Sequence, residues 1–374
     1  MINNYFHKGN TSFKDKFLSL DFTLMFFILL LGFISFFAMY STEKGNFDYY
    51  TTSHIYRFSI FYLIFISISF VNIRFLSKFA YLFYFVILIL LFAVYFFGIK
   101  ASGSTRWISL GIINLQPSEL MKVALITFLA KYYNTKPFHD VNNLKSIIIP
   151  TFALFIPVAL VITQPDLGTA VLIASGGIAV VWLAGLRVKY FVYSFFTFIC
   201  LAPIVIAFLK PYQKLRILSF INPERDPLGA GYQIIQSKIA IGSGGIFGKG
   251  FLQGSQSYLD YLPEKHTDFI FTLFSEEFGF VGSFFLLIIY MIIIYRIVLI
   301  GMLSRNNFAK LYCFSFATAF FVCVVVNMLM VLGLLPIVGA PLPIMSYGGS
   351  AMLSMMIGLG FVMSCKVHNS EEIN

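Results

Sequence analysis

A chain of 374 residues that is 59% hydrophobic and only 11% charged, with 46 phenylalanines and a mean hydropathy of +0.86, is too apolar for a water-soluble protein of two or three domains. Its formal charge of +10 comes from basic residues scattered between apolar runs, with no patch interleaved with aromatics, so membrane topology explains it better than nucleic acid. The four cysteines, Cys200, Cys313, Cys323 and Cys365, lie inside apolar runs without metal or redox spacing and read as small core hydrophobes.

Residues 1–19 are polar and basic, with Lys8, Lys14 and Lys16. The apolar run behind them is too long for a signal-peptide core and lacks a small-residue cleavage site, so it is expected to stay as the first span. Runs of about 20 apolar residues place spans near 20–42, 56–73, 78–98, 117–134, 146–163, 168–186, 190–209, 270–295, 311–335 and 343–365. They are too continuous for barrel strands, and hydrocarbon cannot hydrogen-bond a backbone, so helices are expected. The expected fold is an all-α polytopic membrane protein. A single membrane domain covers 1–374, with about ten transmembrane helices and a long loop at 210–269 between the seventh and eighth.

An even number of spans puts both termini on one side. Lys8, Lys14, Lys16, Arg74, Lys78, Lys131, Lys136, Lys145, Arg187, Lys189, Arg296, Arg305, Lys310 and Lys366 fall at the termini and even-numbered loops. The short odd-numbered loops and their edges hold only Lys44, Arg57, Lys100 and Arg106. Both termini are therefore expected in the cytoplasm. Residues 99–116, the 164–167 corner, the 210–269 segment and the 336–342 turn then share the outer face, which points to one site. The 210–269 segment far exceeds the roughly 12 to 15 residues beyond which loops become uncommon and are usually functional.

The first motif, STRWISLGIINLQPSELMK at 104–122, opens on Arg106 and Trp107, an amphipathic pair suited to an interface. Pro117 and Ser118 mark a helix start, with Ser118 the candidate N-cap and Glu119 near the positive helix end. Glu119 and Lys122 share a helical face. They read either as a buried ion pair that fixes packing or as the charged lining of a cavity toward the outer leaflet, and intramembrane charge favours the lining. In TQPDLGTA, residues 163–170, Asp166 lies between Pro165 and Gly168. It either caps the helix entering at Leu167 or holds a metal or a basic partner.

Within the long loop, Gly231 to Ile241 reads as an amphipathic interfacial helix, with Ile234, Ile235, Ile239 and Ile241 set against Gln233, Gln236 and Lys238. Gly242 to Gly250 is similar to a phosphate loop, but Gly250 follows Lys249 where Ser or Thr belongs and the spacing fails, so it is rejected. LPEKHTDFIF, residues 262–271, crowds Glu264, Lys265, His266 and Asp268 against an apolar run, which points to chemistry at the membrane surface. Asp268 is the candidate general base, with burial and the neighbouring Lys265 pulling its ionisation in opposite directions. Glu264 is the competing carboxylate, and His266 has no second His or Cys at ligand spacing. At least one of Glu276 and Glu277 must face protein or water. GLLPIVGAPLPIMSYGGS, from Gly333 to Ser350, cannot run as a helix through Pro336, Pro341 and Pro343. It is a plain turn or, as its Gly and Pro density favours, a shaped cavity wall.

Together RWISLG, QPSELMK, QPDLGTA, NPERDPLGAGYQIIQSKIAIGSGG, LPEKHTDFIF and LPIVGAPLPIMSYGGS resemble, in order, the SEDS family (RodA, FtsW, SpoVE) of bacterial cell-wall polymerases over residues 100–365. LQGSQ before the carboxylate motif is similar to the RodA elongation branch more than to the FtsW division branch. The resemblance implies a peptidoglycan glycosyltransferase that polymerises lipid II at the outer face of the bacterial cytoplasmic membrane during elongation. It also implies a class B penicillin-binding protein as transpeptidase partner, among other elongation-complex membrane proteins. On matching positions the catalytic carboxylate falls on Asp268 and the membrane-embedded acid and base pair on Glu119 and Lys122.

On this expectation Asp268 takes the proton of the acceptor sugar 4-hydroxyl as it attacks the anomeric carbon of the growing chain. Arg106, Lys122 and Arg216, or a divalent ion such as Mg2+ held by a carboxylate such as Asp166, would stabilise the departing polyprenyl pyrophosphate. Glu264, Lys265 and His266 complete the substrate-binding candidates, and no residue is assigned as a metal ligand. Inversion from an alpha-linked donor to a beta-linked product fits a single displacement. The competing functions are a flippase for the lipid-linked precursor and a silent scaffold. A flippase needs polar groups along a path to both leaflets, and a scaffold would not need Asp268, Glu119 and Lys122 together.

Overall fold

Long apolar runs satisfy their backbone only internally, and each expected span is built on a helix. The computed structural model describes residues 13–101, 104–109, 114–208, 214–215, 218–220, 222, 229–255, 262 and 264–369. After a short α1 (Phe13–Leu18), α2 (Phe22–Thr42) starts where the Asp21 carboxylate accepts the Leu24 amide at 3.0 Å. The Glu43 carboxylate accepts the amides of Tyr50 and Thr51 at 2.7 and 2.8 Å, opening α3 (Tyr49–Ser69). Next come α4 (Ile73–Lys78) and α5 (Ala80–Phe97).

The following segment, read from sequence as an outer loop, holds a small antiparallel sheet in the order β1 (Ile99–Ala101), β2 (Ser104–Ser109), β3 (Asn114–Leu115). Lys100 faces Thr105 and Ile108 faces Leu115 across it. Thr105, Trp107 and Ile108 are strand formers, but the run is too short for a period-two signal to stand out.

α6 (Pro117–Asn134) is capped by Gln116 with Pro117 at its first position, so Ser118 lies inside the helix instead of capping it. Proline's missing N–H and preset φ suit that first position. There follow α7 (Leu144–Thr163), α8 (Leu167–Leu183), α9 (Val188–Phe208), α10 (Ala230–Gly244), α11 (Ile270–Leu303), α12 (Asn307–Val331) and α13 (Gly349–Val367). α10 matches the amphipathic stretch expected inside the long loop. Among the described residues six helices are long and apolar enough to cross a membrane: α2, α5, the Ser146–Thr163 part of α7, α11, α12 and α13.

Burial separates the helices by role. On α2, Phe22, Phe26, Leu29 and Phe33 project outward at helical spacing, as Leu82, Phe85, Ile89, Phe92 and Phe96 do on α5. Such a belt suits lipid and not water. The charged α6 is instead enclosed by α5, α8, α12 and α13, and every residue from Pro117 through Ala130 is buried. The charges of α6 thus sit at the centre of the protein, where partners can reach them. Cys313, Cys323 and Cys365 are buried as expected, whereas Cys200 is exposed on α9. At the end of the bundle away from the 262–271 motif, Asp21 receives Arg296 at 2.5 Å and Lys366 at 3.1 Å, tying α2, α11 and α13 together.

α11 breaks at Gly279, whose φ is +65° and ψ −161°. The break would strand backbone groups, and the glycine-rich loop after α10 supplies their partners. Phe280 N and Val281 N donate to Gly245 O and Ile246 O at 2.9 and 3.1 Å. Glu276 O and Glu277 O accept from Lys249 N and Gly250 N, both at 3.0 Å. The segment rejected as a phosphate loop is therefore a splint for a broken helix. Lys249 Nζ also meets Glu276 at 2.6 Å, and the Ser41 hydroxyl donates to Glu277, so both buried acids face protein. A Cβ on Gly248 would sit 2.0 Å from Glu277 O at a φ of +81°. Gly248→Ala is accordingly expected to destabilise the protein by about 2 to 3 kcal/mol, read as a lower melting temperature in detergent; an unchanged melting temperature would remove the splint from the account.

Candidate active site

The sequence motifs converge at one end of the bundle, where the starts of α6, α8, α11 and α13 surround a polar cavity of about 300 Å3. Each wall has a local cause. The Gln116 amide donates to Ser350 Oγ at 2.9 Å, Ser350 Oγ donates to Asn114 O at 3.2 Å, and Ser354 Oγ donates to Glu119 O at 2.6 Å. These bonds fasten the start of α6 to α13. Glu119 faces the cavity and accepts Lys122 Nζ at 2.6 Å, both side chains being buried. Lys122 lies one turn deeper and is not part of the lining. The pair therefore combines both sequence readings, a buried ion pair with its acid on a cavity.

Asp166 likewise does two things. Its Oδ1 accepts the Thr169 amide at 3.1 Å and caps α8, while Oδ2 accepts Gln116 Nε2 at 3.2 Å and faces Arg106 Nη1 at 3.5 Å. Of the partners considered from sequence, the basic one is present. Arg106 also donates to Pro165 O, and to Gln164 O at 3.4 Å, so the sheet and the α7–α8 corner form one rigid wall. Gly168 lets the start of α8 approach the chain after α12 closely, because a Cβ there would lie 2.4 Å from Val338 O.

The turn before α11 supplies a further part of the lining. Thr267 N and Phe269 N donate to Glu264 O at 3.2 and 3.3 Å, and the Thr267 hydroxyl donates to Glu264 Oε2 at 2.9 Å. Glu264, Thr267 and Asp268 line the cavity. Asp268 abuts Gly339: a Cβ on that glycine would be 3.5 Å from Asp268 Oδ2.

From Leu332 to Gly348 the chain is not helical, and its buried polar groups are met individually. Ala340 O accepts Asn327 Nδ2 at 2.7 Å, Pro343 O accepts the Tyr290 hydroxyl at 2.8 Å, and Met345 O accepts the Ser35 hydroxyl at 2.9 Å. Ile337, Gly339, Pro341, Tyr347 and Gly348 line the cavity, so the shaped-wall reading of this segment holds.

Of the residues singled out from sequence, the cavity brings together Arg106, Glu119, Asp166, Glu264 and Asp268, with Lys122 joined through Glu119. Lys265 is buried off the lining, and His266 turns to Thr42 Oγ1 at 2.8 Å and stacks on Tyr50 at 4.0 Å between ring centroids. Arg216 lies outside the described residues. The lining residues Gln116, Thr169, Gln233 and Tyr347, the last carrying Arg57 on its ring at 4.6 Å, were not assigned to the site from sequence, nor was Asn327, which lies off the lining. Asn327 carried a usable signal, being the single amide within the apolar run of α12. Among the described residues no group of three or more His, Cys, Asp and Glu side chains gathers to hold a metal. The larger cavity, about 630 Å3 between α8, α11 and α12, is lined by residues such as Ile178, Trp182, Val298 and Phe314 and offers no ionisable group.

Known proteins share this architecture. The family described as "Cell cycle protein", covering FtsW, RodA and SpoVE, matches residues 18–371. The peptidoglycan glycosyltransferase MrdB of Escherichia coli K12 is 45% identical over 288 residues, 76% of this chain and 77% of that protein. Stage V sporulation protein E of Bacillus subtilis is 36% identical over 71% of this chain and 72% of its own length. Among solved structures, a chain from a peptidoglycan synthase complex, in work on coordinating polymerization and crosslinking, matches with a TM-score of 0.80 and 31% identity, over 93% of this chain and 98% of that one. The rod shape determining protein RodA of Thermus thermophilus matches with a TM-score of 0.70 and 26% identity, over 95% and 99%. With nearly its whole length matched and its motifs gathered around one cavity, the chain belongs to the FtsW/RodA/SpoVE family, the SEDS proteins.

Proposed function

We propose that this chain is a peptidoglycan glycosyltransferase that polymerises lipid II at the outer face of the bacterial cytoplasmic membrane during elongation, with Asp268 as its general base. The observation that carries the reading is the polar cavity whose lining gathers Asp268, the Arg106–Asp166 pair and Glu119, with Lys122 joined through Glu119. Support comes from 45% identity to a peptidoglycan glycosyltransferase. The topology that goes with it has about ten spans and cytoplasmic termini, with the 210–269 segment outside.

In this mechanism the acceptor 4-hydroxyl loses its proton to the Asp268 carboxylate while its oxygen bonds to the anomeric carbon of the growing strand. The bond from that carbon to pyrophosphate breaks as the new one forms, inverting the centre. Arg106 supplies positive charge on the lining near the departing diphosphate, Lys122 acts from one turn deeper through Glu119, and the cavity walls hold both sugars in line. A class B penicillin-binding protein is the proposed partner, in keeping with the complex that contains a chain of this fold. Purified protein supplied with lipid II and that partner should yield glycan strands; a chain that only moves lipid II between leaflets would replace this reading with a flippase.

A further inference from the structure

We infer that Asn327 is a positioning residue for the reaction, joining the backbone that carries Asp268 to the cavity wall facing it. The inference rests on the assignment of Asp268 as the base. Asn327 lies in α12 among Val324, Val325, Val326, Met328 and Leu329, and it is 0% exposed. Its amide nitrogen donates to Asp268 O at 3.0 Å and to Ala340 O at 2.7 Å. One side chain thus spans two segments distant in sequence.

The geometry gives the link consequences at the carboxylate. Ala340 follows Gly339, where an added Cβ would lie 3.5 Å from Asp268 Oδ2. A second bond, Tyr347 N to His266 O at 2.9 Å, joins the same two segments further along. Asn327 adds a further point of attachment, and the two bonds together set the spacing of the segments. An amide is suited to the task because it presents two donors to two carbonyls. Leucine of similar size would leave buried carbonyls short of a donor, and aspartate would set negative charge against both oxygens.

The test uses the full-length protein with its transpeptidase partner and compares Asn327→Leu, Asn327→Asp and Asn327→Ser, the last keeping one hydroxyl donor. A displaced base costs on the order of 100-fold. Asn327→Leu and Asn327→Asp should lose kcat by about that factor with KM for lipid II within about twofold, and Asn327→Ser should recover part of the loss. Hydrogen exchange should rise together at residues 267–272 and 340–347 in the Leu and Asp variants while α6 stays protected. Unchanged kcat, a loss confined to KM, or unchanged exchange in those two segments would overturn the inference. If the native chain makes no polymer, the proposed function fails by itself, and exchange in Asn327→Leu still decides whether the link exists.

Discussion

Asp268→Asn is expected to lower polymerisation by about 10²- to 10⁴-fold, the usual weight of a general base, while leaving the protein folded. The substitution keeps the shape of the side chain and removes its ability to take the acceptor proton. Folding should survive because the Asp268 carbonyl, which accepts Asn327, is kept. The neighbouring turn is held by Glu264 O through the amides of Thr267 and Phe269, which the change does not touch. Glu264 lines the same cavity, so it is the carboxylate to test next if Asp268→Asn keeps its activity. The paired readout is glycan product on a gel and melting temperature in detergent. A variant that loses both would be a folding defect and would say nothing of the base.

Lys122→Met is expected to be the most destabilising single change, by about 3 to 5 kcal/mol, because it leaves Glu119 buried without its cation. Glu119 and Lys122 are 2% and 4% exposed, so the surviving charge is held almost wholly inside the protein. The double variant Glu119→Gln with Lys122→Met should recover much of the stability, since a neutral pair carries no unpaired buried charge. Polymerisation should stay lost in the double variant, because the cavity wall then lacks its acid and the buried cation that holds that acid in place. A double variant that regained activity along with stability would reduce the pair to a packing device, the other reading that the sequence allowed.

The positions of the helices were legible because apolar runs of this length have one solution in a bilayer. The cavity residues were legible for a different reason. Arg106, Glu119, Asp166 and Asp268 are charges in oily surroundings, and such charges stand out against their background. What escaped was information carried by geometry. The strands between Ile99 and Leu115 are too short to show a period, and Pro117 moved the helix start one residue ahead of the serine that looked like its cap. The loop around Gly248 was rejected as a phosphate site for sound reasons, but its partner, the break at Gly279, lies thirty-one residues away and shows only in three dimensions. Lys265 and His266 share the motif of Asp268, yet a turn sends successive side chains in different directions, so closeness in sequence did not carry them to the lining.

The central claim is that this cavity makes glycosidic bonds with Asp268 as base. Its most direct test reconstitutes the native chain with a class B transpeptidase partner in liposomes containing lipid II, following glycan strands and released polyprenyl pyrophosphate together. One polyprenyl pyrophosphate should be released for every bond formed, and neither product should come from Asp268→Asn. Polymer at native levels from that variant, or lipid II crossing the bilayer without any polymer from the native chain, would contradict it.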